Sequence, residues 1–235
     1  MLPRFIVISA IVTLLTGTSL HAAKLEDIVT RSAVILKEFT SGPAPAIPPT
    51  LLQSAKGLVI LDTTKGGFIV SGSAGDGVVV ARTKKGWTGP AFISSASAGI
   101  GLQVGAQKIS AVFLLMDDAA VQKFAEGTEV KFAGNMTAVA GPDAASMSQT
   151  FNPTSSVYVY AKREGLFASI AFDGGVISAE NNQNSKFYGK PVIAQDILTG
   201  KVPAPATAKA LLDVLYEVAP PPKGGSKAWW EFWKS

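Results

Sequence analysis

The strongest constraint on the fold is a succession of short β-branched segments separated by glycine between residues 57 and 117. Runs of this kind, rich in Val, Ile and Phe and bounded by Gly, Asp or Lys-Gly, are typical of strands joined by tight turns. The segments are GLVILD, GGFIVSG, GVVVART, AFISSAS and KISAVFLLMD. Gly75-Asp76-Gly77 stands between two of them and is predicted to form a hairpin turn. We therefore expect a mainly antiparallel sheet that is curved or closes into a barrel-like core.

Segments with helical periodicity lie on both sides of this strand region. KLEDIVTRSAVILKEF is predicted to be an amphipathic helix, with Leu25, Ile28, Val29, Ser32, Leu36 and Phe39 at helical spacing. Further helices are predicted for TLLQSAKG, ending at Gly57, for DDAAVQKFAEG, capped by Asp117 or Asp118, and for PVIAQDILTG and PATAKALLDVLYEV.

Later strands are predicted in TEVKFAGNMTAVAG and in SVYVYAKREGLFASIAFDGGVIS, the second turning at Glu164-Gly165. No linker divides the strand region. The sequence therefore predicts a single α+β domain, in which N- and C-terminal helices flank the strand core.

Residues 1–22 have the three parts of a secretory signal peptide. Arg4 supplies the positive charge, residues 5–15 form the apolar segment, and small residues follow around Ala22 and Ala23. The alternative is an uncut membrane anchor, but the apolar run is short for a comfortable span. We therefore predict export, with a mature protein that is periplasmic or secreted.

Residue usage excludes several kinds of catalytic site. The only histidine is His21, inside the predicted signal peptide, and the chain has no cysteine. Ordinary zinc sites, Cys or His nucleophile relays and Ser-His-Asp triads all need these side chains. The carboxylates considered for catalysis are scattered along the chain (Asp76, Asp117, Asp118, Asp173 and Asp196). The sequence therefore predicts no enzyme activity, no metal site and no cofactor.

The glycine-rich stretches SGSAGDG and GIGLQVG raise the alternative of a phosphate-binding loop. A dinucleotide fingerprint needs a helix after the glycines, whereas VVVAR and KISAVFLL, which follow here, have strand character. No Gly-Lys-Ser/Thr sequence closes either stretch, as a phosphate-loop NTPase requires. We therefore interpret these glycines as turns, bulges and close strand approaches in a tightly curved sheet.

Several separate blocks of the sequence resemble the SYLF domain family. The longest begins IPPTLLQSAKGLVILDTTKGGFIVSGSAGDGVVVARTKKGW and continues to VFLL; VKFAGNMTAVAGP, AKREGLFASIAFDGGVI and KFYGKPVIAQDILTG follow in the family's order. The resemblance assigns residues 24–218 to a SYLF domain and leaves residues 219–235 as a Pro/Gly linker and aromatic tail. It implies a domain that binds acidic phospholipids, phosphoinositides in particular, or actin filaments, without catalysis.

Candidate lipid-binding residues surround the glycine-rich strands. Lys65 matches a lysine that recurs in SYLF sequences just before the paired glycines. Arg82, Lys84 and Lys85 border the turn TKKGW, where they and Trp87 are expected to be exposed together. The alternative is a solvated turn that serves only solubility. A weaker basic cluster is predicted in SKFYGKP, at Lys186, Tyr188 and Lys190.

Two further segments bear on membrane binding. In the first helix, basic and acidic residues balance one another, which favours core packing over an interfacial helix. The tail carries aromatic residues suited to a headgroup layer, to a partner, or to a groove on its own domain: Trp229, Trp230, Phe232 and Trp233. We therefore predict a module that binds phospholipid or a membrane surface. A protein-interaction or scaffold role is the alternative. The net charge of +4 is thinly spread and predicts no nucleic-acid partner.

Overall fold

The structure is a computed structural model that describes residues 8–41, 46–67, 70–100, 106–126, 129–132, 136–142, 155–163, 166–168 and 175–220. Its centre is one sheet, whose strands are β1 (Gly57–Gly67), β2 (Val70–Thr83), β3 (Gly86–Trp87), β4 (Ala91–Ile100), β5 (Ala106–Leu115), β6 (Val130–Lys131), β7 (Val139–Ala140), β8 (Val157–Arg163), β9 (Leu166–Ala168) and β10 (Gly175–Ala179). The strand order is β6-β10-β4-β2-β1-β5-β8-β7, while β3 pairs with β2 and β9 with β8. The described strand pairs are antiparallel except β7–β8.

Helices cover both faces of this sheet. They are α1 (Ile8–Thr40), α2 (Pro49–Ser54), α3 (Asp118–Ala125), α4 (Asn181–Tyr188), α5 (Ala194–Leu198) and α6 (Lys209–Val218), with a 3-10 turn at Ala206–Ala208 before α6. One buried cluster joins α1, α2 and α6 to the first face, and a second joins α3 and α5 to the other. The predicted single α+β domain with a mainly antiparallel, curved sheet and flanking helices is confirmed.

Burial on both faces explains why the strands read as continuous apolar runs. Successive side chains of a strand point to opposite faces. In β1, Leu58 and Ile60 pack with α1, whereas Val59 and Leu61 pack with α3 and α5. No position in this half of β1 is therefore left for a polar residue.

The far halves of the same strands are rich in small and polar residues. The composition changes from apolar to polar where α1 crosses the sheet. Arg31 Nη1 of α1 lies 2.8 Å from Asp62 Oδ2 of β1, and Glu38 Oε2 lies 2.9 Å from Lys162 Nζ of β8. The two pairs are seven residues apart on α1, which is about 10 Å of helix. Strands β1 and β8, separated by β5, are also about 10 Å apart. These distances indicate that α1 crosses the strands at a steep angle.

The amphipathic part of α1 packs as predicted. The residues proposed for its apolar side, from Leu25 to Phe39, are all buried, and Leu36 and Phe39 have no exposed surface. Its charged residues form ion pairs: Arg31 with Asp27 and Asp62, Lys37 with Glu217, and Glu38 with Lys162. Core packing of residues 25–39 is therefore confirmed. Within the described ranges, no helix is both long enough and apolar enough to cross a bilayer.

The hairpin turn predicted at Gly75-Asp76-Gly77 is wrong. All three residues lie inside β2, opposite Thr63, Asp62 and Leu61 of β1. Gly75 and Gly77 instead allow neighbouring strands to approach closely, which is the other role that the sequence predicted for these glycines. A Cβ atom on Gly77 would collide with the Ile60 carbonyl oxygen and with Leu61 Cδ2. A Cβ on Gly75 would meet the Thr63 hydroxyl, which lies 3.4 Å from Ser95 Oγ of β4.

Helix boundaries were predicted with mixed success. The Asp117 cap of α3 is confirmed, because Asp117 Oδ1 accepts a 2.7 Å hydrogen bond from the Ala120 amide. Helix α2 ends at Ser54 and Ala55 is extended, so Gly57 begins β1 and does not stop the helix. Helix α4 was not predicted, because NNQNSKFY is polar and lacks an apolar stripe. Glu164-Gly165 lies outside the described residues, between the antiparallel strands β8 and β9.

Candidate functional site

The turn between β2 and β3 presents two lysines to solvent. Thr83 and Gly86 are paired across the turn, and the side chains of Lys84 and Lys85 between them are exposed. The Thr83 hydroxyl donates to the Gly86 carbonyl at 2.9 Å and accepts from the Lys85 amide at 3.1 Å. Gly86 has φ 111°, a conformation that favours glycine. These local contacts stabilise the turn, and both ammonium groups face solvent.

Trp87 does not share this exposure, and the prediction that it would be exposed beside the cations is wrong. Its side chain is 2% exposed and belongs to the core beneath α6. The indole Nε1 donates to the Ala219 carbonyl at 2.9 Å, and the Trp87 amide donates to the Tyr216 hydroxyl at 3.2 Å. A buried indole needs such an acceptor, and the end of α6 supplies it. Trp87 therefore anchors the turn and does not form a contact surface.

The Arg82 guanidinium, like the Trp87 indole, makes contacts within the protein. Its guanidinium lies 4.6 Å from the centre of the Trp87 ring and donates to the carbonyls of Ala219 at 3.4 Å and Pro220 at 3.2 Å. A cation at the C-terminal end of a helix is favourable because carbonyls there lack helical partners. Burial lowers the pKa of the Arg82 guanidinium, although arginine remains protonated at any physiological pH. Arg82 thus joins β2 to the end of α6.

A cleft of about 320 Å³ opens beside the turn. Thr83, Lys85 and Trp87 lie on one side, and residues 200–204, which follow α5, lie on the other. Lys201 in the second wall was not predicted as a site residue. Its Nζ lies 3.4 Å from Asp196 Oδ1, and both side chains are more than a third exposed. The cleft therefore combines an apolar floor with lysines from two distant parts of the chain.

Lys56 is a further exposed lysine at this end of the sheet. Its carbonyl accepts a 2.7 Å hydrogen bond from the Arg82 amide. We call the surface formed by Lys56, Lys84, Lys85 and Lys201 the basic end. Sequence spacing could not indicate Lys56 or Lys201, because only the sheet register and the α5 loop bring them close to the turn.

Lys65 lies at the opposite end of the sheet. It pairs with Ser73 of β2, whereas Gly57, at the start of β1, pairs with Ala81 next to the basic end. Lys65 is eight residues further along β1 than Gly57, which corresponds to a distance of about 26 Å. Lys65 and the Arg82–Lys85 turn therefore cannot contact the same headgroup. The predicted tail residues Trp229, Trp230, Phe232 and Trp233 lie outside the described part of the chain.

The weaker cluster in SKFYGKP is divided by burial. Lys186 and Lys190 are exposed, whereas Tyr188 is half-buried and its hydroxyl donates to the Pro90 carbonyl at 3.1 Å. Burial raises the pKa of the Tyr188 phenol. The Tyr188 hydroxyl is therefore bound within the fold, while the two lysines face solvent. Among the described residues, no three His, Cys, Asp or Glu side chains are grouped so that they could hold a metal ion.

Comparison with known proteins relates this architecture to a family. The family described as Ysc84, Las17-binding protein actin regulator, matches residues 96–218. Protein YSC84 of Saccharomyces cerevisiae is 38% identical over 202 residues, which are 81% of this chain and 43% of that protein. Human SH3 domain-containing YSC84-like protein 1 is 35% identical over 201 residues, 82% of this chain and 59% of that protein. The chain thus spans about half the length of the curated relatives it matches. The family match extends from β4 to the end of α6, and the SYLF resemblance is confirmed: this chain belongs to the Ysc84 family.

Proposed function

We propose that this protein is a non-catalytic binding module that attaches to anionic phospholipid headgroups through the basic end. The observation that carries the proposal is the β2–β3 turn, which holds Lys84 and Lys85 exposed beside a cleft with Lys201 on its other wall. Two groups of acidic side chains border this surface: Asp196 pairs with Lys201, and Asp117 and Asp118 follow β5 at the end of the sheet where Lys56 lies. A surface of this kind favours an extended negative partner over a single small ion.

The expected binding energy is modest. A lysine close to an anionic membrane contributes about 1 kcal/mol, and the attraction decays within a Debye length of about 10 Å at 0.1 M salt. Lys84 and Lys85 together would therefore contribute about 2 kcal/mol, with a smaller share from Lys201 because Asp196 partly neutralises it. Binding by these groups is reversible and weakens as salt rises.

The apolar side of α1 between Leu25 and Phe39 does not take part in this proposal, because it is buried against the sheet. The headgroups are bound by charge, and any insertion into the bilayer would be contributed by the aromatic tail residues. Export through a signal peptide at residues 1–22 would place this binding at the surface of an envelope membrane. Location and lipid preference are both part of the proposal.

Vesicle co-sedimentation of the full chain tests the proposal. The variant carrying Lys84→Gln and Lys85→Gln should bind phosphatidylglycerol-containing vesicles about 30-fold more weakly, because about 2 kcal/mol of attraction is lost. Neutral phosphatidylcholine vesicles should show no difference between the two proteins. Any contribution from the N-terminal segment or the aromatic tail is common to both proteins and cancels in the comparison.

A matched control removes the same charge from the other end of the sheet. Lys65 and Lys108 lie in adjacent rows of β1 and β5 there, so the variant with Lys65→Gln and Lys108→Gln has an equal change in net charge. It should bind nearly as the unaltered chain does. An equal loss in both variants would mean that only net charge matters, and a loss confined to Lys65 and Lys108 would move the site to the far end. Either result contradicts the proposal.

The second candidate function is binding to a protein partner. The observation that favours it is the family description, Las17-binding protein actin regulator, together with the matched relative named LAS seventeen-binding protein 3 of Saccharomyces cerevisiae. Co-sedimentation of the full chain with purified actin filaments provides a direct test. Saturable binding to filaments that survives Lys84→Gln and Lys85→Gln, without binding to anionic vesicles, would favour this candidate over the lipid one.

A further inference from the structure

We propose that Tyr216 is a positioning residue for the basic end, so that affinity for an anionic surface depends on a side chain that need not touch that surface. The inference rests on the proposed function, because it concerns how Lys84 and Lys85 are held. Tyr216 lies in the last two turns of α6, more than a hundred residues from the lysines in the sequence.

Three hydrogen-bond acceptors in the last turn of α6 and just after it bind the residues that flank the β2–β3 turn. The Tyr216 hydroxyl accepts a hydrogen bond from the Trp87 amide. The Ala219 carbonyl accepts both the Trp87 indole and the Arg82 guanidinium, and the Pro220 carbonyl accepts a second Arg82 hydrogen bond. The two residues held in this way, Arg82 and Trp87, are paired with each other and flank the turn directly.

Of these three acceptors, the Tyr216 hydroxyl is the one that belongs to a side chain, and the phenol ring also limits the shape of the turn. A Cβ atom on Gly86 would lie 2.6 Å from the Tyr216 hydroxyl, so the phenol occupies the space directly behind this residue. Gly86 is the residue with φ 111° that reverses the chain after Lys85. The phenol therefore supports the turn from the protein side, while the two lysines face solvent.

A turn that is already ordered binds more tightly than one that must be ordered on contact, because the conformational entropy has been lost during folding. Tyr216→Phe keeps the ring but leaves the Trp87 amide without its acceptor. Loss of one such hydrogen bond corresponds to about two- to twelvefold in an equilibrium constant. We expect vesicle affinity to fall measurably, by up to this factor, although every lysine is intact.

Two measurements on the full chain separate positioning from a general loss of structure. The first is amide hydrogen exchange without vesicles, which should accelerate in residues 83–87 of Tyr216→Phe and remain unchanged in β1 and β5. The second is a double-mutant cycle on phosphatidylglycerol-containing vesicles. Tyr216→Phe should weaken binding in the unaltered chain and have no further effect when Lys84→Gln and Lys85→Gln are present. A purely structural role would lower binding in both backgrounds.

Tyr160→Phe is the matched control. The Tyr160 hydroxyl donates to the Pro142 carbonyl at 2.7 Å in the same buried cluster, far from the turn in the strand order, so its loss should leave vesicle affinity unchanged. Unchanged exchange in residues 83–87 of Tyr216→Phe would overturn the positioning role, as would faster exchange there with unchanged affinity. If Lys84→Gln and Lys85→Gln alone leave affinity unchanged, the proposed function itself fails. Acceleration of exchange in residues 83–87 would then still establish that Tyr216 holds the turn.

Discussion

Replacing Gly77 with alanine should destabilise the protein strongly, even though alanine is ordinarily acceptable in a strand. Gly77 lies in β2 opposite Leu61, and an added Cβ would collide with the Ile60 carbonyl oxygen and lie 2.9 Å from Leu61 Cδ2. The obstruction is backbone, so β1 and β2 must separate at the centre of the sheet. Overpacking of a well-filled core costs about 1–3 kcal/mol, and the fixed carbonyl places this site at the upper end, about 3 kcal/mol. Urea unfolding followed by circular dichroism measures the change.

Gly72 supplies the matched comparison on the same strand. Among the atoms that the structure describes, an added Cβ there meets only the Ser97 carbonyl oxygen, at 3.8 Å, which is ordinary contact. Gly72→Ala should therefore leave stability unchanged or raise it by about 0.4–1 kcal/mol, because alanine restricts the unfolded chain. The two substitutions are chemically identical, yet of the two only Gly77→Ala is predicted to destabilise the protein. If Gly77→Ala cost less than about 0.5 kcal/mol, the close approach of β1 and β2 would not be the reason for glycine at that position.

Two further predictions concern the helix layer and alkaline pH. Leu36→Ala should lower the free energy of unfolding, measured by urea titration, by about 2–5 kcal/mol, since Leu36 is fully buried. Val34 lies on the same helix but is 54% exposed. Val34→Ala should therefore change the free energy of unfolding by less than about 0.5 kcal/mol in the same titration. Above about pH 10 the unfolded chain loses the phenolic proton that folded Tyr188 retains, so stability should decline with rising pH. Tyr188→Phe should make this decline shallower when urea midpoints are compared between pH 9 and pH 11, and an unchanged slope would refute the assignment.

The parts of the fold that could be predicted are those specified by local pattern. The β-branched runs identified the main strands, and the spacing from Leu25 to Phe39 identified the buried side of α1. Asp117 was recognisable as a helix cap because its side-chain oxygen accepts a hydrogen bond from the backbone amide of Ala120, three residues later. In each case the interaction that decides the structure lies within a few residues or follows the period of the element itself.

The errors arise where the deciding contact is distant in sequence. Gly75-Asp76-Gly77 has the composition of a turn, and only the close approach of β1 shows why glycine stands at two of these positions in a strand. Trp87 stands beside two exposed lysines, yet its environment is set by Ala219, 132 residues later. Lys201 joins Lys85 at the cleft only because the α5 loop returns to this end of the sheet. Local composition carries no information about such contacts.

The hydrogen bond from Arg82 to Pro220 determines where the rest of the chain starts. Residues 221–235 follow Pro220, whose carbonyl is bound by Arg82 next to the β2–β3 turn, and a fully extended chain of this length reaches no further than about 50 Å. Tethering of this kind raises the effective concentration of an attached group near its target to the millimolar range. If the lysines bind a bilayer as proposed, a weak attraction between Trp229 or Trp230 and that bilayer would act together with them as one bivalent attachment, stronger than either part alone.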